Sequence, residues 1–319
     1  MSRPSRTAPP HRSAGRFYRN VDGILLLDKP LGLSSNAALQ RAREIFAAVK
    51  AGHAGSLDPL ATGLLPVCFG QATKVCGRLL NCGKTYLVDV QLGSRTESGD
   101  DETEIIERAP IPPLDEAAID AVLETFIGAQ KQIPPMHSAL KFEGRRLYEL
   151  ARRGESVERP ERDIVIHRLR RVRLCDDRLE FETSCSKGTY IRTLAADIAG
   201  RLGTLGYVKG LRRLSIDPFG DRRTYTLEEL AGMDAEALEG ALLPSDIAFA
   251  DLQSVELDVA AERNLLLGQS VQPVGAALSG ELRAYGEGGR FLGLVEALGD
   301  GRVKPVRLFV GAAPPPHGS

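Results

Sequence analysis

One ten-residue segment, KTYLVDVQLG (84–93), constrains the fold of this chain more than any other. Its apolar side chains recur at every second position, and most of the residues between them are polar. A period of two puts alternate side chains on opposite faces of an extended strand, and it is typical of a strand with one buried face. The chain is therefore expected to contain a β-sheet that packs against a core. The buried face consists of Tyr86, Val88, Val90 and Leu92.

Other segments predict the strands and helices around this sheet. Apolar or alternating runs predict strands at 23–30, 64–69 and 178–186. Apolar residues at helical spacing predict helices at 114–128, 146–153, 187–203 and 258–268. A further helix is predicted to begin with Ser35 as its N-cap. The apolar face of that helix consists of Leu39, Ala42, Phe46 and Val49.

Length and turn chemistry predict two units. A chain of 319 residues fits two domains, or one large domain and a small one. The pattern changes near 245–256, and beyond it Gly-rich turns at 286–289 and 298–301 separate three strand-like runs. We expect a large domain at 21–250 and a small all-β domain at 251–312.

Both ends of the chain are expected to be disordered. Residues 1–20 are basic and rich in Pro, Ser and Gly, and they lack the apolar centre of a secretory signal. This arm either has no role or binds phosphate weakly. Residues 313–319 form a similar tail. No run approaches the roughly 20 apolar residues that a membrane helix needs, so we expect no membrane contact.

Cysteine usage, motifs and charge argue against several classes of protein. The five cysteines include no CxxC pair, which argues against a disulfide scaffold or a zinc site and for a cytoplasmic protein with free thiols. GxGxxG, P-loop and HExxH motifs are missing, which points away from nucleotide cofactors and metals. The net charge of −1 gives no global support for nucleic-acid binding. Local basic runs occur at 141–153, 167–173 and 209–213, although such runs are usually solvated surface.

The segment HAGSLDPLATGLLPV (53–67) carries Asp58 on a loop bounded by Gly and Pro, ahead of a predicted strand. An aspartate before a proline commonly caps a turn. The flanking glycines, Gly55 and Gly63, also allow a ligand or another backbone to come close. A carboxylate on such a loop can act as a nucleophile or a base. The residues alone leave both interpretations open.

Three further positions have a structural and a functional interpretation. Tyr86 either packs in the core or offers a flat ring and a hydroxyl to a base. Arg192, close to Lys187 and Tyr190, is either a surface cation or the partner of a buried carboxylate whose pKa it lowers. His137 follows two prolines and is either a plain loop residue or a functional one.

Six segments of the chain occur in an order that resembles the TruB family of bacterial tRNA pseudouridine synthases. The segments are GILLLDKPLGLSS, HAGSLDPLATGLLPVCFGQATK, KTYLVDVQLGSRT, IPPMHSALKFEGRRLYELARRG, SCSKGTYIRTLAADIA and LRRL. The resemblance covers about 23–250. Residues 258–310 resemble, less sharply, the small C-terminal PUA barrel of those enzymes.

The resemblance implies an α+β fold and a reaction. The fold would be a catalytic domain with a mixed, mainly antiparallel sheet, followed by a PUA-like β-barrel. The reaction would be isomerisation of uridine 55 in the T stem-loop of tRNA, with no cofactor or metal. Separately from the resemblance, we expect a monomer, since nothing in the sequence suggests an interface helix. A base inside a folded loop must be flipped out, and stacking and a grip on the flanking backbone would offset that cost. The excursion at 132–160 would clamp the T arm.

The resemblance also implies roles for seven residues. Asp58 matches the family's essential aspartate, which attacks the sugar or base or takes a proton, and Arg192 matches the arginine paired with it. Tyr86 matches the tyrosine that stacks on the target base. His53 matches the histidine that helps to take the flipped nucleotide out of the stack. The remaining matches, in the pocket lining and the first motif, are Tyr190, Leu211 and Lys29.

Two departures from the family pattern and two other functions complete the interpretation. His137 stands where a tyrosine is common, and Thr103 where a glycine is often seen, so both concern details of RNA contact. An alternative function is an RNA-binding or tRNA-folding module with dispensable catalysis, supported by the basic run 141–153 and the PUA-like region. A hydrolase with Asp58 as nucleophile is weaker, because no second carboxylate at fixed spacing and no phosphate cradle accompany it.

Overall fold

The computed structural model describes five stretches of the chain. They are residues 18–138, 140–142, 144–151, 153–273 and 279–309. The predicted basic arm lies outside the described residues except for positions 18–20, and the predicted tail at 313–319 lies wholly outside them.

The described chain folds into short strands and helices. The strands are β1 Gly23–Lys29, β2 Ala51–His53, β3 Ala61–Phe69, β4 Lys84–Leu92, β5 Ser94–Thr96, β6 Ile105–Arg108, β7 Gly128–Gln132, β8 Lys141–Phe142, β9 Arg145–Arg146, β10 Arg162–Cys175, β11 Arg178–Cys185, β12 Gly206–Ile216, β13 Leu242–Leu243, β14 Ser254–Glu256, β15 Glu281–Tyr285, β16 Phe291–Ala297 and β17 Val303–Leu308. The helices are α1 Ser35–Ile45, α2 Cys76–Leu80, α3 Glu116–Glu124, α4 Leu147–Ala151, α5 Ile191–Arg201, α6 Leu227–Ala231, α7 Ala235–Gly240 and α8 Val259–Leu266. Short 3₁₀ helices span Gly70–Val75, Ser245–Phe249 and Glu287–Gly289.

A nine-stranded sheet forms the centre of the molecule. Its order is β13-β1-β3-β12-β4-β11-β10-β7, with β2 added alongside β3. Among the described strands, β3 and β12 run parallel and the other neighbours in this sheet run antiparallel. The prediction of an α+β fold with a mixed, mainly antiparallel sheet is therefore confirmed.

Burial follows the sequence pattern of each strand. The alternating side chains of β4, from Tyr86 to Leu92, are all buried against α5 and its neighbours, as the period of two predicts. In β1 the apolar run is continuous, because Leu25 and Leu27 face one cluster with α1, whereas Ile24 and Leu26 face another. A strand that is covered on both faces needs apolar residues at every position.

The start of α1 differs from the prediction. Ser34, not Ser35, is the N-cap, and its side chain accepts a backbone N–H of the first turn. Ser35 is buried instead, where its hydroxyl donates to the carbonyl of Leu57 (3.0 Å) and accepts from its N–H (2.7 Å). Val49 lies beyond the end of α1 and is 53% exposed, since the chain turns away at Ala47, whose φ is +49°.

Two other predicted boundaries shift. The polar, acidic segment 95–103, for which no strand is predicted, begins within β5, and β5 pairs with β6 as an antiparallel ribbon. The helix expected at 114–128 stops at Glu124, because Gly128, with φ +110°, already begins β7. Both shifts arise from pairing with distant strands, which a local pattern does not contain.

The C-terminal residues form a separate four-stranded sheet of order β14-β15-β16-β17. The three strand-like runs predicted near the C-terminus are confirmed as β15, β16 and β17. The predicted barrel is not confirmed: among the described residues, β17 does not pair back to β14, so the sheet is open. Phe249, Phe291 and Phe309 pack together and join this sheet to the central one.

No helix in the described part of the chain is both long enough and apolar enough to cross a bilayer.

Candidate active site

Asp58 lies on the loop between β2 and β3. Its backbone carbonyl accepts the N–H of Ala61 (3.0 Å), which closes a turn at the start of β3. Its carboxylate lies 3.2 Å from the Arg192 guanidinium, and the side chain remains 46% exposed. The turn is thus made by the backbone, and the carboxylate is left to face both a buried cation and solvent.

Lys29 holds the Asp58 loop through hydrogen bonds to backbone carbonyls. Its side chain is fully buried, and its Nζ donates to the carbonyls of Pro30 (3.0 Å), Leu33 (2.6 Å) and Pro59 (3.4 Å). The N–H of Gly32 also donates to Pro59 (2.8 Å). Lys29 therefore ties the turn after β1 to the residue that follows Asp58, instead of reaching into solvent.

The environment of Lys29 shifts its titration. Burial lowers the pKa of the Lys29 ammonium, and the charges of Asp58 and Glu102 act against this. The ammonium is compensated by carbonyl oxygens and by more distant carboxylates, so its main effect is to position the loop.

Arg192 lies in the first turn of α5 and is almost fully buried. One Nη contacts Asp58 (3.2 Å) and donates to the carbonyl of His137 (2.6 Å). The other Nη contacts the Asp100 carboxylate (3.1 Å) and donates to the carbonyl of Ser98 (2.9 Å). The structure thus brings together the predicted pair Asp58 and Arg192. It also shows that the guanidinium is held by four oxygens.

Asp100 is the residue that sequence reasoning missed. It is 1% exposed, and its carboxylate accepts the Ser98 hydroxyl (2.5 Å) and the N–H of Glu102 (3.1 Å). The Thr96 hydroxyl donates to its carbonyl (2.6 Å). The hydroxyl of Thr103 accepts the N–H of Ser98 (2.9 Å), so this departure from the family pattern supports the same turn. The sequence signal that could have identified a buried aspartate here is the presence of one Ser and two Thr hydroxyls within the acidic segment.

Glu102 adds a second link between this turn and the Asp58 loop. Its carboxylate accepts the N–H of Leu60 (3.0 Å). Burial raises the pKa of Glu102, and the neighbouring Asp100 charge raises it further. The acidic segment therefore lies against the Asp58 loop.

Tyr86 is buried on the core face of β4, as its alternation predicts. In the sheet it is paired with Arg213 of β12. Burial raises the pKa of Tyr86, whereas the Arg213 charge opposes the rise. Leu211, two residues before Arg213, is half-buried against the same core cluster and pairs with both β3 and β4. Tyr86 and Leu211 therefore share the sheet region next to the Asp58 loop.

Tyr190 is fixed through its backbone. It is the residue just before α5, and Gln132 of β7 accepts its N–H (2.8 Å) and donates to its carbonyl (3.1 Å). The buried Gln132 amide was not recognised in the sequence, where it precedes the pair of prolines. This clamp fixes the start of the helix that carries Arg192.

His53 ends β2, opposite Val67 of β3. Burial lowers the pKa of the imidazole, and the Arg213 charge lowers it further. The imidazole is therefore neutral at pH 7. Its Nδ1 is buried and has no hydrogen-bond partner among the described residues. A neutral, half-buried ring suits stacking better than ion pairing.

The position of His137 contributes mainly through its backbone, whose carbonyl accepts the Arg192 bond. Its ring lies 3.8 Å from Glu97. Because the contact with Arg192 uses the main chain, a histidine in place of a tyrosine leaves that contact unchanged.

The basic runs have different environments. In 167–173, Arg168 and Arg170 share the Glu182 carboxylate, which neutralises part of that strand. In the excursion at 132–160, Arg145 and Arg146 are exposed on the short ribbon β8–β9. The excursion thus presents exposed positive charge.

The described residues form no metal centre at this site, and a cavity lies elsewhere on the sheet. Within the described ranges, His, Cys, Asp and Glu side chains do not gather in groups of three as a metal site requires. A cavity of about 560 Å³ lies at the far end of β4, near Gln91, Ile111 and Tyr207, and none of the candidate residues lines it.

Solved structures share this fold. The protein in a Cbf5–Nop10–Gar1 complex matches with a TM-score of 0.69 and 23% identity, covering 92% of this chain and 85% of that one. The protein in an archaeal box H/ACA Nop10–Cbf5 complex matches with a TM-score of 0.67 and 22% identity, covering 90% and 86%. At these identities the likeness concerns the fold.

Curated relatives are more similar in sequence. The tRNA pseudouridine synthase B of Methylobacillus flagellatus is 46% identical over 294 residues, covering 92% of this chain and 97% of the relative. Those of Chromohalobacter salexigens and Pseudomonas fluorescens are each 47% identical, over 91% and 92% of this chain and 94% and 97% of the relatives.

Family models match consecutive parts of the chain. The TruB family pseudouridylate synthase N-terminal domain matches 43–191, and the tRNA pseudouridylate synthase B C-terminal domain matches 192–250. The C-terminal domain of pseudouridine synthase II TruB matches 254–309. With relatives at 46–47% identity over nine-tenths of its length, this chain belongs to the TruB family of pseudouridine synthases.

Proposed function

We propose that this protein isomerises uridine 55 in the T stem-loop of tRNA, with Asp58 as its catalytic residue. It is a pseudouridine synthase that acts on tRNA. In the reaction the C1′–N1 bond breaks, the uracil turns, and a C1′–C5 bond forms. The hydrogen on C5 passes to water while N1 gains a proton, so the product is an isomer of the substrate.

The observation that carries the proposal is the unequal environment of the two carboxylates on Arg192. Asp100 is buried and fixed by hydrogen bonds, whereas Asp58 is half-exposed and touches the same guanidinium. A cation that is already neutralised by Asp100 can orient Asp58 without enclosing it. Asp58 then has room to approach a nucleotide.

Two routes are open to the Asp58 carboxylate. In the first it attacks C1′ or the base directly and forms a covalent intermediate. In the second it removes the proton from C2′ while uracil leaves, so that a glycal forms. Deuterium at C2′ separates them, because only the second route breaks that C–H bond and slows with the heavier isotope.

The proposed RNA contacts follow from the site. The target uridine must leave its stack to reach Asp58, at a cost of a few kcal/mol. We assign Tyr86, Leu211 and Tyr190 to the flipped base, and His53 to the nucleotides around it. The excursion at 132–160, with exposed Arg145 and Arg146, would grip the T-arm backbone.

The remaining parts of the proposal concern the whole protein. The open sheet of 254–309 would act as a PUA-like RNA-binding unit, next to a catalytic domain at 21–250. The protein would work as a monomer in the cytoplasm. Light scattering of the free protein and of its RNA complex tests the monomeric state.

The experiment is tritium release from a T-arm hairpin that contains 5-tritiated uridine at the target position. We expect release with the wild type, and a rate at least about 1,000-fold lower with Asp58→Ala, because the chemistry has lost its nucleophile or base. Asp163→Ala is the matched control, since Asp163 is exposed on β10. Hairpin affinity should stay within about threefold for both variants.

Two outcomes would contradict the proposal. Tritium release by Asp58→Ala at the wild-type rate would show that Asp58 takes no part in the chemistry. Absence of release by the wild type, with the hairpin still bound, would favour the RNA-binding or tRNA-folding module instead.

A further inference from the structure

Arg213 is a buried cation whose polar contacts are backbone carbonyls. It lies on β12 and is 1% exposed. Its Nε donates to the carbonyl of Leu64 (2.7 Å), and an Nη donates to the carbonyl of Gly55 (2.9 Å). No carboxylate of the described residues lies within 4.0 Å of it. This differs from Arg192, which touches two carboxylates.

Lys84 is a second buried cation beside Arg213. An added Cβ at Gly55 would lie 3.4 Å from an Nη of Arg213 and 3.6 Å from Cε of Lys84, so both side chains lie against the loop that leads to Asp58. The Lys84 Nζ is also held by carbonyls, those of Leu80 (3.2 Å) and Cys82 (2.7 Å). Burying such charges without a counter-ion is costly, so their retention calls for a function.

The charge of Arg213 reaches the residues around the proposed nucleotide site. It adds to burial in lowering the pKa of the His53 imidazole, and it works against burial at the Tyr86 hydroxyl. In the sheet, Arg213 stands opposite Tyr86 of β4 and, on its other side, opposite Gly63 of β3. It therefore touches the strand that carries Tyr86 and the loop that carries Asp58.

We propose that Arg213 is a positioning residue of the isomerisation. Through the Gly55 carbonyl it fixes the position of the Asp58 loop relative to Tyr86. It also places a positive charge, which no carboxylate neutralises, close to the detached uracil. The inference rests on the proposed function, in which uracil leaves C1′ with the bonding electron pair. A fixed cation near that charge lowers the barrier, because it needs no reorganisation during the reaction.

The test compares Arg213→Lys and Arg213→Met with Arg212→Met as the matched control. Arg212 is the preceding residue, but it points to the surface and binds Asp28 through two contacts (3.0 and 2.6 Å). We measure the single-turnover rate on the T-arm hairpin, the hairpin affinity, and the His53 pKa by NMR titration of the histidines.

We expect Arg213→Met to lower the single-turnover rate by about 100-fold, with hairpin affinity within about threefold of the wild type. Arg213→Lys keeps the positive charge but loses the paired donors of the guanidinium. Its single-turnover rate should therefore be about tenfold higher than that of Arg213→Met. The His53 pKa should rise in Arg213→Met and stay low in Arg213→Lys. Arg212→Met should keep the wild-type rate and the wild-type His53 pKa.

A cycle with Tyr86→Phe tests whether the two residues act together. The rate of the double variant Arg213→Lys/Tyr86→Phe should be no lower than that of the slower single variant, because both remove the same arrangement. If Arg213→Met does not fold, Arg213→Lys and this cycle decide the question.

Several outcomes would overturn the inference. The first is a double variant Arg213→Lys/Tyr86→Phe whose rate loss equals the product of the two single losses. The second is a loss of rate in Arg213→Met that is matched by an equal loss of hairpin affinity. The third is a His53 pKa that does not change in Arg213→Met. An inactive wild type would instead reject the proposed function. The His53 titration would still show whether the charge of Arg213 lowers the pKa of a residue at this site.

Discussion

At the scale of single residues, the site depends on one arginine between two unequal carboxylates. Arg192 holds Asp58 and Asp100 on neighbouring nitrogens, yet one carboxylate is 46% exposed and the other is 1% exposed. A buried carboxylate without a cation would be costly, as would a buried guanidinium without a carboxylate. Asp100 therefore anchors Arg192, and Arg192 in turn orients Asp58.

Asp100→Asn is predicted to weaken both stability and activity. The variant keeps the size of the side chain but leaves Arg192 with Asp58 as its one close carboxylate. We expect the free energy of unfolding to fall by about 3 kcal/mol, as for other broken buried pairs. We expect the single-turnover rate to fall by about 100-fold, because Asp58 is no longer held in place. Urea unfolding and tritium release measure the two effects.

The adjacent aspartate is the control for that prediction. Asp101 is exposed and pairs with Lys209 (2.7 Å) at the surface, where such pairs contribute little. Asp101→Asn should change the free energy of unfolding by less than about 1 kcal/mol. Equal effects of the two substitutions would show that Asp100 has no special role.

At the scale of secondary structure, the parallel contact of β3 and β12 brings the two halves of the site together. It sets Leu211 opposite Ala61 and Arg213 opposite Gly63. The backbones approach so closely at Gly63 that an added Cβ would lie 2.2 Å from the Arg213 carbonyl oxygen. The φ of Gly63 is also +94°, which side-chain-bearing residues rarely adopt.

Gly63→Ala is therefore predicted to be strongly destabilising. The added methyl group must push β12 away from β3 in a backbone conformation that is itself strained, so we expect a loss of about 3 kcal/mol. Gly77→Ala is the control, because Gly77 lies within helix α2 with no atom within 4 Å of its added Cβ. That change should raise stability by up to about 1 kcal/mol. Urea unfolding of both variants checks the contrast, and equal stabilities would refute it.

At the scale of the whole molecule, the two sheets are joined by polar and aromatic contacts. The Arg78 guanidinium binds Asp251, and the Tyr285 hydroxyl of β15 donates to Asp246 (2.7 Å). Phe291 and Phe249 pack beneath these contacts. A joint with this many contacts is expected to hold the C-terminal sheet in a fixed place beside the catalytic core.

This joint should be sensitive to alkaline pH. Burial, together with the bond to Asp246, raises the pKa of Tyr285 to about 12 from its ordinary value of 10.0. Between pH 10 and 12 the unfolded tyrosine loses its proton before the folded one does, so stability falls as pH rises through this window. Below pH 10 the contribution of the hydroxyl is fully present.

Tyr285→Phe removes this titration. The variant should be about 1 kcal/mol less stable than the wild type at pH 8, a figure that allows for the partial exposure of the ring. The difference should shrink as pH approaches 12. Thermal or urea unfolding at several pH values measures it, and a constant difference across the range would contradict the assignment.

The sequence by itself determined the family of this protein and its most strongly patterned elements. The alternation around Tyr86 and the helical spacing after Tyr190 predicted buried faces correctly, because burial imposes a period on local residues. The ordered motifs around Asp58 predicted the family, and Asp58 and Arg192 do meet. These signals are local in the chain or are carried by several motifs at once.

Only the tertiary structure decided which polar groups are buried and what they face. Asp100 belongs to an acidic segment that resembles solvated loop, and Arg213 follows an arginine of identical chemistry that stays at the surface. Ser35 and Lys29 similarly became links to the Asp58 loop. Each assignment depends on at least one polar group that lies far away in sequence, and the packing of distant strands and helices brings it within hydrogen-bonding distance.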